Sequence, residues 1–376
     1  MKIGIMTMYY RSQNYGGLLQ AYALQKAIES LGYNAEQICY YPSYKRSVLF
    51  RIKSYCSQFK SIICNHQIYI GRGLIHNLKL RRQNMYLFSD KCIKHSDQVY
   101  DDNNISLING KYDNIIVGSD QVWNGSYPVF YLEFVADGIP KSAYAASISK
   151  NHLTKEQINV FNRVLDSYRK ISVREKEAIP LLKPYVSQKE IVQVLDPTLL
   201  LSTKEWDKLP YKHKVKEKYL FCYFLGIDKK LREVARAFAD KNNLKIVSFP
   251  FMTSKIEYDE AKFYDYCFYD SDPGDFVSMI RNAEYVFTDS FHAALFSSLY
   301  KKNYFVFSRK GSEFMNSRIY SLVHIFGSEP SFCDDESKMD LHYLEKNKNT
   351  IYRDDEEYHR LKSFSYSFLT EICEQQ

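Results

Sequence analysis

The eight cysteines of this 376-residue chain (Cys39, Cys56, Cys64, Cys92, Cys222, Cys267, Cys333 and Cys373) form no C-x-x-C pair. That scatter argues against zinc ribbons and dithiol redox motifs and reads as free thiols. The nine histidines contain no H-x-x-x-H pair, so nothing in the pattern asks for a metal. No apolar run reaches membrane-spanning length; Tyr219 to Ile227 is among the longest and too short. The stretch Met1-Lys2-Ile3-Gly4-Ile5-Met6 enters a strand pattern without the apolar core of a signal peptide, and a cytoplasmic protein is expected. There is no G-x-G-x-x-G fingerprint, which weakens a dinucleotide reading, and no internal repeat.

What the chain does have is enough apolar residue for a sizeable core, at 45% of the total, and a length for which two domains is the ordinary outcome. Its net charge of +7 is uneven. Eleven Lys and Arg between Lys45 and His95 face one acid, Asp90, a local net charge of +10 that leaves the rest at about −3. Two helical pieces are expected there, near Ser47 to Cys64 and Leu74 to Ser89. They read as a helical hairpin packed on the first domain, as a clamp for an anionic substrate, or as a surface meeting anionic lipid. Tyrosine is abundant, at 33 residues, beside frequent Lys, Asn and Ile, consistent with codon bias.

Hydrophobic periodicity predicts strand, loop and helix in succession through Lys2 to Met8, Tyr9 to Gly17 and Leu18 to Leu31, then a strand Asn34 to Cys39. Further strands are expected at Tyr112 to Val117, Lys141 to Ser149, Arg169 to Val173 and Glu190 to Leu195. A second series starts near Lys218, with strands at Tyr219 to Phe224, Lys245 to Phe249, Tyr285 to Phe287 and Tyr304 to Phe307. Helices are expected at Lys229 to Lys241, Pro273 to Asn282, the stretch after Ser290, Asn316 to Phe326 and Asp354 to Glu374. The predicted architecture is α/β, with an N-terminal Rossmann-like domain over 1–210 that carries the basic insertion near 45–95. A second such domain covers 211–376, its terminal helix returning to the first, and a cleft is expected between the two.

Four clusters at strand ends or helix starts carry chemistry: Asn14 to Gly17, Ser119-Asp120, Arg174-Glu175 and His292. Thr288, Asp289 and Ser290 are successive candidate N-caps, so a helix opens close to His292, and its unpaired N–H groups and dipole suit an anion. Arg174 offers a bidentate fork, and Asp120 is the one carboxylate in a turn otherwise lacking charge, suited to acid–base work. Each has a purely structural alternative: Asp120 as a turn cap, Arg174 and Glu175 in surface pairs, Gly16-Gly17 permitting close helix packing.

Taken together, Asn14-Tyr15-Gly16-Gly17, Val117 to Trp123, Ser172-Val173-Arg174-Glu175, Asp196-Pro197-Thr198 and Thr288 to His292 resemble the polysaccharide pyruvyl transferase family, in that family's order and over the chain as far as about Phe307. The resemblance implies a fold like GT-B glycosyltransferases, two Rossmann-like domains facing across a cleft. It implies transfer of the enolpyruvyl unit of phosphoenolpyruvate to a sugar diol, giving a cyclic pyruvate ketal and phosphate, with no separate cofactor and no metal. It puts His292 and Asp120 in catalytic roles. Arg174, His292, Ser290, Asn14, Gly16 and Gly17 fall to the donor phosphate, and Ser119, Gln121, Trp123 and Asp289 to the acceptor or cleft. Some members have an acid where this chain has Gly17, and some an arginine where it has Ser290; Arg309, Lys310 or Arg318 is the expected replacement for that arginine. The expected partners are phosphoenolpyruvate, a polyprenyl-diphosphate-linked glycan and an anionic membrane face touched peripherally, with no nucleic acid. A glycosyltransferase using a nucleotide sugar and a non-catalytic binding protein on the same scaffold are the alternatives.

Overall fold

The computed structural model describes residues 1–46, 68–125, 127–226, 228–250, 263–309, 316–349 and 355–374. Among these the chain divides into two compact units. The first comprises Met1–Arg46, Leu87–Ser202 and Glu356–Gln376, and the second Ser47–Tyr86 and Thr203–Asp355. The terminal helix therefore belongs with the amino-terminal unit, and most of the basic segment belongs with the second. The expected helix at Ser47 to Cys64 lies outside the described residues.

The first unit is built on a six-stranded parallel sheet of β1 (Lys2–Met6), β2 (Asn34–Gln37), β3 (Asn114–Val117), β4 (Lys141–Ala146), β5 (Ile171–Val173) and β6 (Ile191–Gln193). Its spatial order is β2-β1-β3-β4-β5-β6. The strands β1, β3 and β4 are almost wholly buried, as parallel strands covered on both faces must be. Helix α1 (Tyr15–Ser30) follows β1 and buries Leu24, Ala27 and Ile28 against Ile3, Ile5 and Ile116. The same cluster takes in Phe368, Leu369, Ile372 and Cys373 of the terminal helix Glu356–Cys373, which closes that face. The strand order changes direction between β1 and β3, and their carboxyl ends flank the crevice where open α/β sheets bind ligands.

The second unit repeats the plan with a different order. Its parallel strands are β7 (Tyr219–Tyr223), β8 (Lys245–Ser248), β9 (Tyr266–Cys267), β10 (Tyr285–Thr288), β11 (Asn303–Phe307) and β12 (Phe332–Cys333). They lie in the order β12-β11-β10-β7-β8-β9, the dinucleotide-fold order read from its other edge. The direction reverses between β7 and β10. The helix Lys229–Lys241 has Asp228 as N-cap and packs Ala235, Phe238 and Ala239 on Leu220, Ile246 and Phe287. The helix Pro273–Asn282 opens with a capping box between Asp272 and Asp275. Most expected strands and helices recur within two or three residues; the helix expected at Leu74 to Ser89 is longer, Ile68–Cys92, and β9, β12 and the helices Ser43–Arg46, Thr203–Trp206 and Leu341–Asn347 had no counterpart in the sequence reading.

Of the basic segment, the helix Ile68–Cys92 is described. Arg81, one of the eleven cations of that segment, is buried and donates to the Pro250 carbonyl, while Asn84 donates to that of Asp270. A buried guanidinium bonded to a backbone carbonyl is not presented to lipid; Lys79 and Arg82 remain exposed. No helix among the described residues is long and apolar enough to cross a membrane.

Candidate active site

Both candidate clusters arise at points where a sheet reverses its order. In the first unit the loop after β1 leads to Asn14, the N-cap of α1, whose side chain accepts from the Gly17 amide at 3.2 Å. Gly16 and Gly17 thus lie in the first helical turn rather than in a loop before it. A Cβ on Gly17 would stand 3.2 Å from the Met8 carbonyl, so glycine lets the helix start sit close against the β1 loop. Gln20, one turn further, joins three segments. Its amide nitrogen donates to Thr7 Oγ1 at 3.0 Å and its oxygen accepts from the Ser119 amide at 3.2 Å, tying α1 to the loops after β1 and β3.

The loop after β3 is forced into an unusual path. Gly118 has φ +124, and a Cβ there would fall 2.0 Å from the Tyr144 carbonyl oxygen. Asp120 follows at φ +64, with its carbonyl accepting from Val122 and Ser147 amides at 2.8 and 3.0 Å. Gly118→Ala is expected to cost about 3 kcal/mol, because steric overlap adds to a disfavoured φ. Gly138→Ala, at φ +87 with nothing within 4 Å of a new Cβ, is expected to cost about 1 kcal/mol. Urea titrations that rank the two the other way would refute this account of the loop.

Arg174, just past β5, is the centre of a buried ionic cluster. Its Nε donates to Glu175 Oε1 at 2.9 Å and its Nη1 to Asp196 Oδ2 at 2.8 Å, with Asp120 Oδ1 at 3.9 Å. Burial works against the charge, but Glu175, Asp196 and Asp120 outweigh it and hold the guanidinium firmly ionised. Asp196 is completed by Ser119 Oγ at 3.2 Å and by the Thr198 amide and hydroxyl at 3.0 and 2.7 Å. Glu175 Oε1 also accepts from Ser147 Oγ at 2.8 Å, while Oε2 is buried without a hydrogen bond among the described residues. Three carboxyl groups thus surround the one guanidinium. The expectation that Arg174 presents a fork to phosphate is therefore revised: two of its nitrogens are engaged by carboxylates, and its geometry is that of a positioning residue. Asp120 is the most accessible of the four, with 14% of its side chain exposed against 4% or less for the others.

Two residues assigned to the acceptor side are corrected here. Trp123 is fully buried, donates from Nε1 to the Phe130 carbonyl and packs edge-on against Phe161 and Tyr168, so it is a core residue. Ser119 is fully buried too, behind Asp120 and bonded to Asp196. Gln121 stays partly exposed.

In the second unit, Thr288 ends β10 and Ser290 is the N-cap of the helix Phe291–Leu299. The Thr288 hydroxyl donates to the Tyr223 carbonyl at 2.6 Å and accepts from the Ser290 amide at 3.0 Å, binding the turn to β7. The Ser290 side chain makes no cap hydrogen bond, so it does not occupy the first-turn N–H groups. His292 sits in that first turn, 7% exposed, its ring 5.2 Å from the Phe291 ring. Asp289 was assigned to the acceptor or cleft. Its two oxygens instead accept from the Leu225 and Gly226 amides at 2.6 and 2.7 Å, bracing the loop after β7. Arg309 lies against the same turn, donating from Nε to Asp289 Oδ2 at 3.3 Å and from Nη2 to the Asp289 carbonyl at 3.0 Å. Arg318 is buried with its guanidinium 5.6 Å from the Phe291 ring centre. Lys310 lies outside the described residues.

Sequence reasoning missed Gln20 and Ser147 as parts of the site and quoted Asp196 as part of a motif without giving it a role. Gln20 left one trace, a polar residue in an otherwise apolar helix stretch. No group of three or more His, Cys, Asp or Glu among the described residues is arranged to hold a metal ion.

Several solved structures share the whole-chain fold. A putative UDP-N-acetylglucosamine 2-epimerase from Listeria monocytogenes aligns with TM-score 0.58 at 10% identity, covering 99% of this chain and 94% of that one. UDP-N-acetylglucosamine 2-epimerase from Rickettsia bellii gives 0.53 at 10% identity, over 99% and 95%. The Neisseria meningitidis enzyme gives 0.50 at 10% identity, over 99% and 98%. At such identities the likeness establishes the fold, a GT-B-type pair of α/β units. Among curated proteins, none matches this chain. The family model described as polysaccharide pyruvyl transferase matches residues 14–311, a span that includes Asn14, Asp120, Arg174 and His292, and the chain belongs to that family.

Proposed function

We propose that this protein transfers the enolpyruvyl unit of phosphoenolpyruvate to two hydroxyls of a sugar, forming a cyclic pyruvate ketal and releasing phosphate. The observation that carries the reading is a helix start whose cap side chain leaves the first-turn N–H groups to other partners, with His292 in that turn and Arg309 against it. Such a site suits the donor phosphate. Arg309 is the described cation best suited to replace the arginine that Ser290 lacks, since its side chain is 26% exposed.

In the proposed reaction a proton is added to the methylene carbon of the donor, giving an oxocarbenium-like centre at C2. One sugar hydroxyl attacks C2, and Asp120 takes its proton. The C2–O bond to phosphate then breaks, and the electron pair leaves with the phosphate, whose developing charge the helix start, His292 and Arg309 stabilise. The second hydroxyl closes the ketal at C2 as its proton is lost. The two hydroxyl protons balance the one gained by carbon and the one leaving with phosphate. Arg174, Glu175 and Asp196 act on Asp120 from behind, holding its loop. The acceptor is proposed to be a hexose of a lipid-linked polysaccharide repeat unit.

Thermal denaturation separates this reading from a nucleotide-sugar transferase. Phosphoenolpyruvate at a hundred times its Kd stabilises by about 2.7 kcal/mol, and UDP- or CDP-sugars at the same concentration have no effect. The reverse pattern overturns the proposal. Asp120→Asn is expected to keep this stabilisation and lose about a hundredfold in kcat; unchanged turnover would remove Asp120 from the chemistry.

A further inference from the structure

Four tyrosines that the proposed chemistry does not use gather on the carboxyl edge of the first sheet. Tyr10 lies in the loop after β1, Tyr41 and Tyr44 after β2, and Tyr127 after β3, and these three strands are neighbours in the order β2-β1-β3. The rings form one connected set. Tyr10 meets Tyr41 edge-on with centroids 6.5 Å apart, and Lys45 Nζ stands 5.9 Å from the Tyr41 ring and 5.0 Å from that of Tyr127. The Tyr44 hydroxyl donates to that of Tyr127 at 3.2 Å, and Arg11 lies 5.3 Å from the Tyr10 ring. Tyr44 is exposed, at 48%, and Tyr10, Tyr41 and Tyr127 are partly exposed, Tyr127 also packing edge-on against Phe130. The hydroxyls of Tyr10 and Tyr41 make no hydrogen bond among the described residues.

The loop that carries two of these rings is held in place. Ser43 donates from its amide and hydroxyl to Asp102 Oδ2 at 2.9 and 2.8 Å, and the Tyr40 hydroxyl donates to the other oxygen of the same carboxylate. The rings are thus presented with little ordering left to do on binding.

We infer that these tyrosines form a saccharide-binding platform for acceptor units beyond the one that receives the ketal. A pyranose has an apolar face of C–H groups rimmed by hydroxyls. Tyrosine matches both, offering rigid ring area and a polar tip at low entropic cost. A phosphate site would instead converge its cations, whereas Lys45 and Arg11 here lie on ring faces. Tyr127 shares its loop with Asp120, so the platform and the proposed acceptor base leave the same strand end. The inference rests on the reading of the acceptor as a glycan.

The test is binding to an array of bacterial oligosaccharides of two to six pyranose units, with phosphoenolpyruvate thermal shifts measured in parallel. The wild-type protein is expected to retain one or more oligosaccharides. Tyr44→Ala with Tyr127→Ala weakens that binding tenfold or more, and Tyr44→Phe with Tyr127→Phe weakens it about threefold, since the rings remain. Both pairs keep the wild-type shift with phosphoenolpyruvate. No binding by wild-type protein, or equal binding by the alanine pair, overturns the platform. If the alanine pair melts early, the phenylalanine pair decides: reduced binding supports the platform, and equal binding overturns it. Tyrosine-dependent glycan binding without any phosphoenolpyruvate effect keeps the platform and removes the pyruvyl reading. A phosphoenolpyruvate effect with tyrosine-independent glycan binding does the opposite.

Discussion

Under the proposed reaction, replacing His292 with alanine is expected to lower acceptor-dependent phosphate release from phosphoenolpyruvate by about a thousandfold, the scale found when one preorganised donor to a developing anion is removed. The side chain sits in the first turn of the helix Phe291–Leu299, where the helix dipole favours negative charge. That turn is fixed from three sides: Thr288 is bonded to β7, Asp289 to the loop after β7, and Arg309 to Asp289. None of these contacts passes through the imidazole, so the turn keeps its shape in the variant; removing a ring that is buried lowers the melting temperature by a few degrees without unfolding the protein. His292→Gln retains a hydrogen-bond donor without the capacity for charge, and it recovers donor binding more than turnover. Full activity in His292→Ala, with folding intact, would remove the residue from the proposed mechanism.

The second large effect is on stability. Arg174→Met leaves Asp120, Glu175 and Asp196 without the guanidinium they surround, and removing one partner of a buried ionic group costs about 3–5 kcal/mol. Loss of side-chain packing alone would also destabilise, so the informative comparison is Arg174→Met combined with Glu175→Gln and Asp196→Asn. Charge balance predicts that the triple variant is more stable than Arg174→Met, although more polar contacts have been altered. A triple variant less stable than the single one would show that the arginine acts by packing rather than by charge. The same experiment bears on the phosphate assignment. If Arg174 served chiefly as a donor ligand, Arg174→Met would raise KM for phosphoenolpyruvate with stability intact.

The alternation of apolar strands and amphipathic helices made the α/β architecture legible, since each strand is short, buried and followed by a turn signal. Spacing alone also located the His292 helix start, because Thr288, Asp289 and Ser290 precede a run of apolar residues and small ones. Strand order was not legible. Nothing in periodicity distinguishes β2-β1-β3 from the dinucleotide order adopted by β7 to β12, because order depends on how crossovers pack. The strands β9 and β12, two residues each, are too short to show any period. The ionic cluster was hidden for a related reason. Arg174 and Asp196 are 22 residues apart and meet because β5 and β6 run in parallel register, with Val173 opposite Gln193. The resemblance puts Trp123 on the acceptor side as part of the Val117 to Trp123 motif, yet the turn that follows Asp120 directs it into the core. Asp289 read as a cleft carboxylate, and only the neighbouring β7 loop reveals two amides waiting for it.

The central claim is that a sugar hydroxyl pair, and not a nucleotide sugar, is the partner of the donor bound at the His292 helix start. Its most direct test is phosphate release from phosphoenolpyruvate across a panel of lipid-linked and synthetic glycosides, measured beside consumption of UDP- and CDP-sugars. The account predicts release with at least one glycoside, matched one for one by pyruvate ketal on the sugar and abolished in His292→Ala. Hydrolysis or transfer of a nucleotide sugar, with phosphoenolpyruvate untouched across the whole panel, would contradict it.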